Sequence, residues 1–465
     1  MKKKMIMAII SAMVMLTACG ATDSAELQAA ARASQAVSGS SGGTASSAAG
    51  DSSVFAEPDA EELFTDRDME QTPDLSEAVT LSVESGSDIT IDKEGVYVLS
   101  GSAENVTVKV EAGSEDKVQL VLDGLSVSNT DQPCIYVKSA DKVFITSASE
   151  DNELSVSGSF TADGDTNTDA VIFSKDDLVL NGTGSLSIVS SDNGITSKDS
   201  LKLTGGTLTV ECEGSALEAH EEIAVADGSL TISRCNDGLH AEDDEDDSTG
   251  SIYIGGGSLT ISAADDAIHA TTLITVDDGA LKLTAAEGIE ATVVRINGGS
   301  VSVNASDDGI NAAQKSSLCV PLFELNGGEV TIVMGAGDTD GVDSNGDIRI
   351  NGGTIDISGQ SAFDYDGSAE YNGGTIIENG KETNAISNQM FGGQGGGMGG
   401  RGGRNGAGEG MRMHPEQNGQ TPPEWDGQTS PEWDGQTPPE WDGQTPPDRD
   451  GRTQPNQDSR TQPVE

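Results

Sequence analysis

Tryptophan is missing from everything before Trp425, and aromatic residues of all kinds make up only 3% of the 465-residue chain. A core built on large rings is thereby excluded, and thin aliphatic layers are what remain. Basic residues are scarce too: 25 Lys and Arg against 78 Asp and Glu give a net charge of −53. A nucleic-acid ligand needs a basic footprint, and so does electrostatic docking to an anionic membrane; the sequence offers neither. No apolar run reaches the ~20 residues of a spanning helix, and no seven-residue apolar period points to a coiled coil. Glycine, by contrast, is abundant: 59 residues, nearly double the usual share of ~7%.

The two ends read as segments outside the fold. Residues 1–18 have the pattern of a lipoprotein signal peptide, with Lys2 to Lys4 followed by apolar Met5 to Leu16. That run is too short to span a bilayer. Leu16-Thr17-Ala18-Cys19 matches the bacterial lipobox, which makes Cys19 the lipidated N-terminus of an exported protein anchored at the cell surface; the alternative is an ordinary secretory signal. Residues 19–54 form an Ala/Ser/Gly-rich linker, and residues 55–76 are expected to cap the domain that follows. Residues 386–465 read as a disordered tail, Gly-rich and then repeating Gln420-Thr-Pro-Pro-Glu-Trp-Asp-Gly. Its Trp425, Trp433 and Trp441 either stack on sugars or a partner protein, or belong to an extension without a ligand.

Between these ends the chain repeats. A small residue after a polar one and before an apolar one recurs at Ala170, Gly194, Ala216, Gly238, Ala267, Gly288, Gly309, Gly341 and Ala362. Most steps are 21–24 residues; the two longer ones contain insertions, Glu242 to Gly250 and Gln314 to Val320. A second motif recurs between anchors, as in Asn297-Gly298-Gly299-Ser300-Val301-Ser302-Val303 and Asn351-Gly352-Gly353-Thr354-Ile355-Asp356-Ile357. The alternation of apolar residues with period two is a strand signal. A unit this short cannot bury its apolar face alone and must stack, rung on rung, with a rise of ~4.8 Å. The expected fold is all-β, a single parallel β-helix over residues 77–385. Pro133-Cys134-Ile135-Tyr136 aligns with Asp169-Ala170-Val171-Ile172, which puts Cys134 at the small anchor position as a buried thiol. Cys212 and Cys235 lie about one coil apart, compatible with a disulfide or with two buried thiols.

Stacking turns the outward polar positions into columns. Residues just before the anchors include Asp237, Asp266, Asp308 and Asp340, with Asp265 and Asp307 one step earlier; two residues after them come Glu218, His240, His269, Glu290, Asn311, Asp343 and Asp364. Like charges ~5 Å apart cost a few kcal/mol per pair near a surface unless a cation or proton neutralises them. Carboxylates with Asn and backbone carbonyls are hard oxygen donors, which points to Ca²⁺. The candidate ligands are Asp237, Asp265, Asp266, Glu290, Asp307, Asp308, Asn311, Asp338, Asp340, Asp343, Asn345, Asp347 and Asp364. A merely solvated acidic face is the alternative, and the run Glu242 to Asp247 reads either way. His240 and His269 occupy matching coil positions, fit for a transition metal, for acid–base chemistry, or for hydrogen bonding beside the acids.

Several stretches together resemble a family of bacterial secreted carbohydrate-binding lipoproteins whose domain is a pectate-lyase-like β-helix. They are Asp116 to Gly124, Phe173 to Leu178, Asp307 to Ala312, Gly341 to Asp347 and Phe363 to Gly367, with the Gly/Met/Arg-rich segment that follows. The likeness covers roughly residues 60–400. It implies a right-handed helix that binds cellulose and acidic plant-wall sugars such as polygalacturonate, with calcium on its surface. The Trp-Asp-Gly repeats lie outside the likeness, and Ala216 to His220 departs from it where the family tends to show a basic residue.

Calcium and acidic sugar support each other, because a chain this acidic repels polygalacturonate unless cations bridge the two. Flat stacking surfaces are few: Tyr136, Phe173, Tyr253, Phe363, Tyr365 and Tyr371. The candidate sugar contacts are His240, His269, Tyr365 and Tyr371. A lyase would need a basic residue among the acids to take the α-proton of a uronate. Lys175 and Lys198 stack one coil apart in a less acidic region, and Arg295 and Arg349 alternate with strand apolars as solubilising residues do. The reading is therefore a non-catalytic binding module, with a lyase or a surface adhesin as the rivals.

Overall fold

A computed structural model describes Pro58 and residues 60–388 apart from Asp244, Gly337 and Asp338. Cys19, the tail tryptophans and Asp338 thus lie outside the described residues.

The repeat folds as its periodicity demands. Each coil lays down three short strands, as in Asp266–Ala270, Leu273–Val276 and Ala280–Ala285, and every one pairs in parallel with its counterpart a coil away. The described residues are all-β but for one helical turn, Ala60–Leu63. Strands like Leu273–Val276 form a first face, those like Ala280–Ala285 a second, and those like Asp266–Ala270 a third of 12 strands. The first two faces are continuous because Gly95–Glu104 and Lys117–Asn129 bend from one to the other. The sequence expectation of stacked parallel coils is met.

Register explains the core. Period-two alternation sends every second residue inward, and stacking places like above like. On the third face Ile195, Leu217, Leu239, Ile268, Ile289, Ile310 and Val342 form one continuous buried column. Each such side chain contributes about 1.5–3 kcal/mol by leaving water. At the corner between the first and second faces Asn takes over the role of the aliphatics. Asn372 donates to Asn351, Asn351 to Asn326, Asn326 to Asn297 and Asn297 to Asp277, each at 2.8 Å. Tyr253 Oη closes the ladder on Asp277 at 2.9 Å. The glycines after these Asn residues turn the corner with φ of +72° to +87° at Gly299, Gly328, Gly353 and Gly374, a conformation that costs L-residues with a Cβ.

Three expectations need correction. The register pairs Ile135 with Ile172 and Ile172 with Ile195, so the anchor of that coil is Val171, not Ala170. The loop at residues 157–169 enters the strand one residue later than the sequence motif suggests. Cys134 still stands at the anchor column, fully buried. The N-terminal segment, expected as a cap, instead lies along the first face. Gln71 accepts from Gly182 N and donates to Thr204 O, buried Asp68 reaches Lys142 at 3.4 Å, and Arg67 covers Phe144. The reason is that strands there present Phe144, Asn181 and Thr204, buried groups that need a cover. Finally, Arg295 and Arg349 are not scattered solubilising charges. They alternate in register with Glu324 and Glu370, and Arg295, 6% exposed, bonds Glu324 at 2.8 Å. At the C-terminal end Lys381–Thr383 pairs antiparallel with Thr375–Glu378, which ends the parallel stack.

Candidate functional site

The outward positions of the third face form one unbroken column: Lys109, Tyr136, Phe173, Thr196, Glu218, His240, His269, Glu290, Asn311, Asp343, Asp364. Neighbours sit one rung apart, ~4.8 Å. A parallel column beside it carries Asp266 and Glu287, then Asp340 and Ser361. Part of this second column serves the backbone: Asp237 Oδ1 accepts from Asp266 N at 3.1 Å, and Asp308 Oδ1 from Asp340 N at 3.0 Å.

The column has three chemically different stretches. In the first, Tyr136 and Phe173 pack edge to face with centroids 5.7 Å apart, 2% and 0% exposed. These rings are covered and offer sugars no platform. The same holds for Phe363 and Tyr253.

The second stretch is basic and acidic at once. His240 and His269 stack with centroids 4.7 Å apart and ring planes 9° from parallel. His269 Nδ1 lies 2.9 Å from Asp266 and 3.0 Å from Glu290, and His240 Nδ1 lies 3.5 Å from Asp237. Both Nε2 atoms face Glu242 Oε2, at 3.1 Å from His240 and 3.6 Å from His269. Burial disfavours the imidazolium, yet the surrounding carboxylates outweigh it and push His240 up to about 10 and His269 up to about 9. Burial also pushes Glu290 up, but His269 and Lys315, whose Nζ is 2.7 Å away, bring it below the usual carboxylate range.

Lys315 and Glu242 come from the two insertions, which meet where Ser317 N donates to Asp247 at 2.9 Å. Beside the histidines opens a groove of about 510 Å³ lined by Asn167, Asp169, Lys198, Glu218, His220, His240, Glu242, Asp243 and Glu245. Lys198 Nζ lies 3.2 Å from Glu218 and 2.8 Å from His220 Nε2. Basic groups therefore do stand among the acids, contrary to the expectation from sequence. Lys198 came from a coil that looks neutral in sequence, and the direction in which an insertion carries Lys315 has no sequence signal.

The third stretch is all oxygen. Burial, then the neighbouring carboxylates Asp364 and Asp340, push Asp343 up to about 6; burial, then Asp343, Asp307 and Asp340, do the same to Asp308. Asn311 donates its amide to Glu287 at 3.0 Å and Glu290 at 3.3 Å, while its Oδ1 is buried without a hydrogen bond. An orphaned amide oxygen beside mutually repelling carboxylates fits a hard cation.

Of the thirteen ligand candidates, Asp308, Asn311, Asp340, Asp343 and Asp364 thus come together. Asp237, Asp266 and Glu290 are engaged by the histidines and Lys315. Asp265 and Asp307 are exposed at the strand entry, and Asn345 is exposed at the corner. Asp347 instead accepts from Ser368 N and Oγ at 2.7 and 2.9 Å on the first face. Of the sugar candidates, His240 lines the groove and His269 is buried. Tyr365 packs on the core, and Tyr371, 37% exposed, donates to Gly374 O at 2.8 Å.

A protein of Acetivibrio thermocellus described as a carbohydrate-binding domain-containing protein is 38% identical over 128 residues, 27% of this chain and 45% of that one. The match thus spans less than half of the relative's length. Among solved structures, a polysaccharide lyase-like protein from C. thermocellum, determined as a gadolinium derivative, is 27% identical. It aligns over 48% of this chain and 93% of its own, with a TM-score of 0.41. The family profile described as carbohydrate-binding domain-containing protein matches residues 85–341, a span that takes in all but the last coils of the third-face column. Because that span exceeds half of its length, the chain belongs to the family of carbohydrate-binding domain-containing proteins.

Proposed function

We propose that this protein is exported, lipid-anchored through Cys19, and binds plant-wall polysaccharide, cellulose or acidic sugars such as polygalacturonate, along the third face of a right-handed solenoid with Ca²⁺ at its oxygen-rich end. The observation that carries this reading is the cluster of Asp308, Asn311, Asp340, Asp343 and Asp364, where carboxylates repel and Asn311 Oδ1 lacks a donor. Bound there, Ca²⁺ supplies positive charge that a uronate carboxylate can share. The chain's own part is to hold the oxygens a rung apart and to offer neutral sugar hydroxyls the hydrogen-bonding groups of the groove, with His240 at its wall; Tyr371 lies on the first face, outside this surface. Right-handedness follows the general preference of parallel crossovers.

Retention on insoluble pectate and on cellulose, with and without chelator, tests this. Binding to pectate that is lost in chelator and in Asp343→Asn is expected; equal retention in every condition would count against calcium, and no retention on either polymer would sink the binding reading.

One observation favours a second reading. Lys198, held between Glu218 and His220 in the groove, is a basic group among acids such as β-elimination requires. Release of ultraviolet-absorbing unsaturated sugar from polygalacturonate in Ca²⁺, abolished in Lys198→Ala, would establish a lyase; a flat trace leaves the binding module.

A further inference from the structure

The oxygen-rich end does not use the stacked histidines, and their arrangement calls for a different ion. We propose that His240, Glu242 and His269 form a site for one divalent transition-metal ion of the zinc class, open on the groove side. The sequence Asp-x-x-His occurs twice in register, Asp237 to His240 and Asp266 to His269. In each copy the Asp faces the Nδ1 of its own histidine: Asp266 at hydrogen-bond distance, 2.9 Å, and Asp237 at 3.5 Å, where His240 Nδ1 makes no hydrogen bond. A carboxylate on Nδ1 is the outer-shell partner that fixes a metal-binding imidazole and leaves Nε2 as the ligand atom.

Both Nε2 atoms then turn to the same carboxylate oxygen of Glu242, and all three ligand atoms lie within 4.8 Å of one another. His269 is 6% exposed, and its Nε2 makes no hydrogen bond. A buried ring nitrogen pointed at a carboxylate without bonding it is explained by an ion between them. Two imidazoles and a carboxylate suit zinc, copper or nickel and are poor ligands for calcium. Three protein ligands leave a fourth position for water or a sugar oxygen, the pattern of an open site. Closing on an ion needs the ligand atoms to approach to ~3.4 Å, given metal–nitrogen bonds of ~2.0–2.1 Å. Glu242 Oε2 already lies 3.1 and 3.6 Å from the two Nε2 atoms, so the adjustment falls on the stacked imidazoles, of which His240 is the more exposed. Asp237, Asp266, Glu290 and Glu218 around the pair, with Lys315 against them, leave the pocket net negative and receptive to a dication.

The experiment is calorimetric titration of the chelator-stripped full chain with ZnCl₂ in excess Ca²⁺, with Co²⁺ absorption as a second readout. Expected are one tight Zn²⁺ per chain and intense visible Co²⁺ bands. Both should be lost in His240→Gln, His269→Gln and Glu242→Gln and kept in His220→Gln and Asp343→Asn. Asp266→Asn should weaken binding about 10–100-fold. Zinc affinity that is equal in wild type and Glu242→Gln, or that Ca²⁺ abolishes, overturns the proposal. If the buried His269 variant fails to fold, as its melting in chelator would reveal, the wild-type Co²⁺ spectrum decides: the weak bands of hydrated ion refute it. This outcome is independent of the calcium reading, since Asp343→Asn separates the two sites.

Discussion

Cys134, Cys212 and Cys235 are each pushed up to about 12, first by burial, and burial raises Cys319 as well. All four are free, although Cys212 and Cys235 lie on adjacent rungs. Because the thiolate is the reactive form, none of these four should react with a thiol reagent in the native protein, and all four should do so in denaturant. A native disulfide seen by mass spectrometry would contradict this. A second residue-scale expectation concerns Glu221, raised from 4.5 to about 7 because it shares a proton with Asp199, with burial adding to the effect. The fold favours the protonated form. The stability this contributes is therefore full below pH 4.5 and is lost as pH climbs through about 7. Glu221→Gln keeps a donor toward Asp199 and removes the charge, so its melting temperature should fall less than wild type between pH 5 and pH 8. The residue is exposed, and the effect is correspondingly small.

At the scale of the strand and the corner, two kinds of column hold the coils in register. Ile289 is fully buried between Ile268 and Ile310; Ile289→Ala should cost about 2–5 kcal/mol in denaturant unfolding. Asn326 both donates and accepts in the corner ladder, so Asn326→Ala breaks two bonds and should cost about 1–2 kcal/mol, leaving Asn351 without its acceptor. These columns are where the sequence is most legible. A period of two with a coil of 21–24 residues leaves one way to stack, and the histidines at matching positions had to become neighbours. Legibility fails where a loop interrupts the period. The loop before Val171 shifts the register by one residue, and the two insertions deliver Glu242 and Lys315 to the histidines. Loop length says nothing about the direction of return. Nor does it tell that Asp237 and Asp266 spend their charge on imidazoles rather than on calcium.

For the whole molecule the governing quantity is the net charge of −53. Its acids are unevenly spread: some cap backbone amides, some pair with histidine, and the last coils of the third face gather carboxylates that only protons or cations can relieve. Screening reaches ~8 Å at physiological salt, longer than one rung, so added NaCl should raise the melting temperature modestly. Millimolar Ca²⁺ should raise it further and chelator reverse the gain, by linkage to ions that bind only the folded state. The same melting temperature in Ca²⁺ and in chelator would remove calcium from the account.

The third-face column also has a reading direction. From Thr196 through Glu218, His240, His269, Glu290, Asn311 and Asp343 to Asp364, only the His240–His269 and Asp343–Asp364 steps repeat a residue, and no stretch of three can be shifted by a rung onto an identical one. A polymer lying along an unvarying column could slide freely, each step exchanging one contact for its copy. Here most steps exchange unlike contacts, so a polymer laid along the column would have one preferred frame and one orientation, its two ends facing different chemistry. A stack of near-identical coils thus behaves as an address and not as a rail.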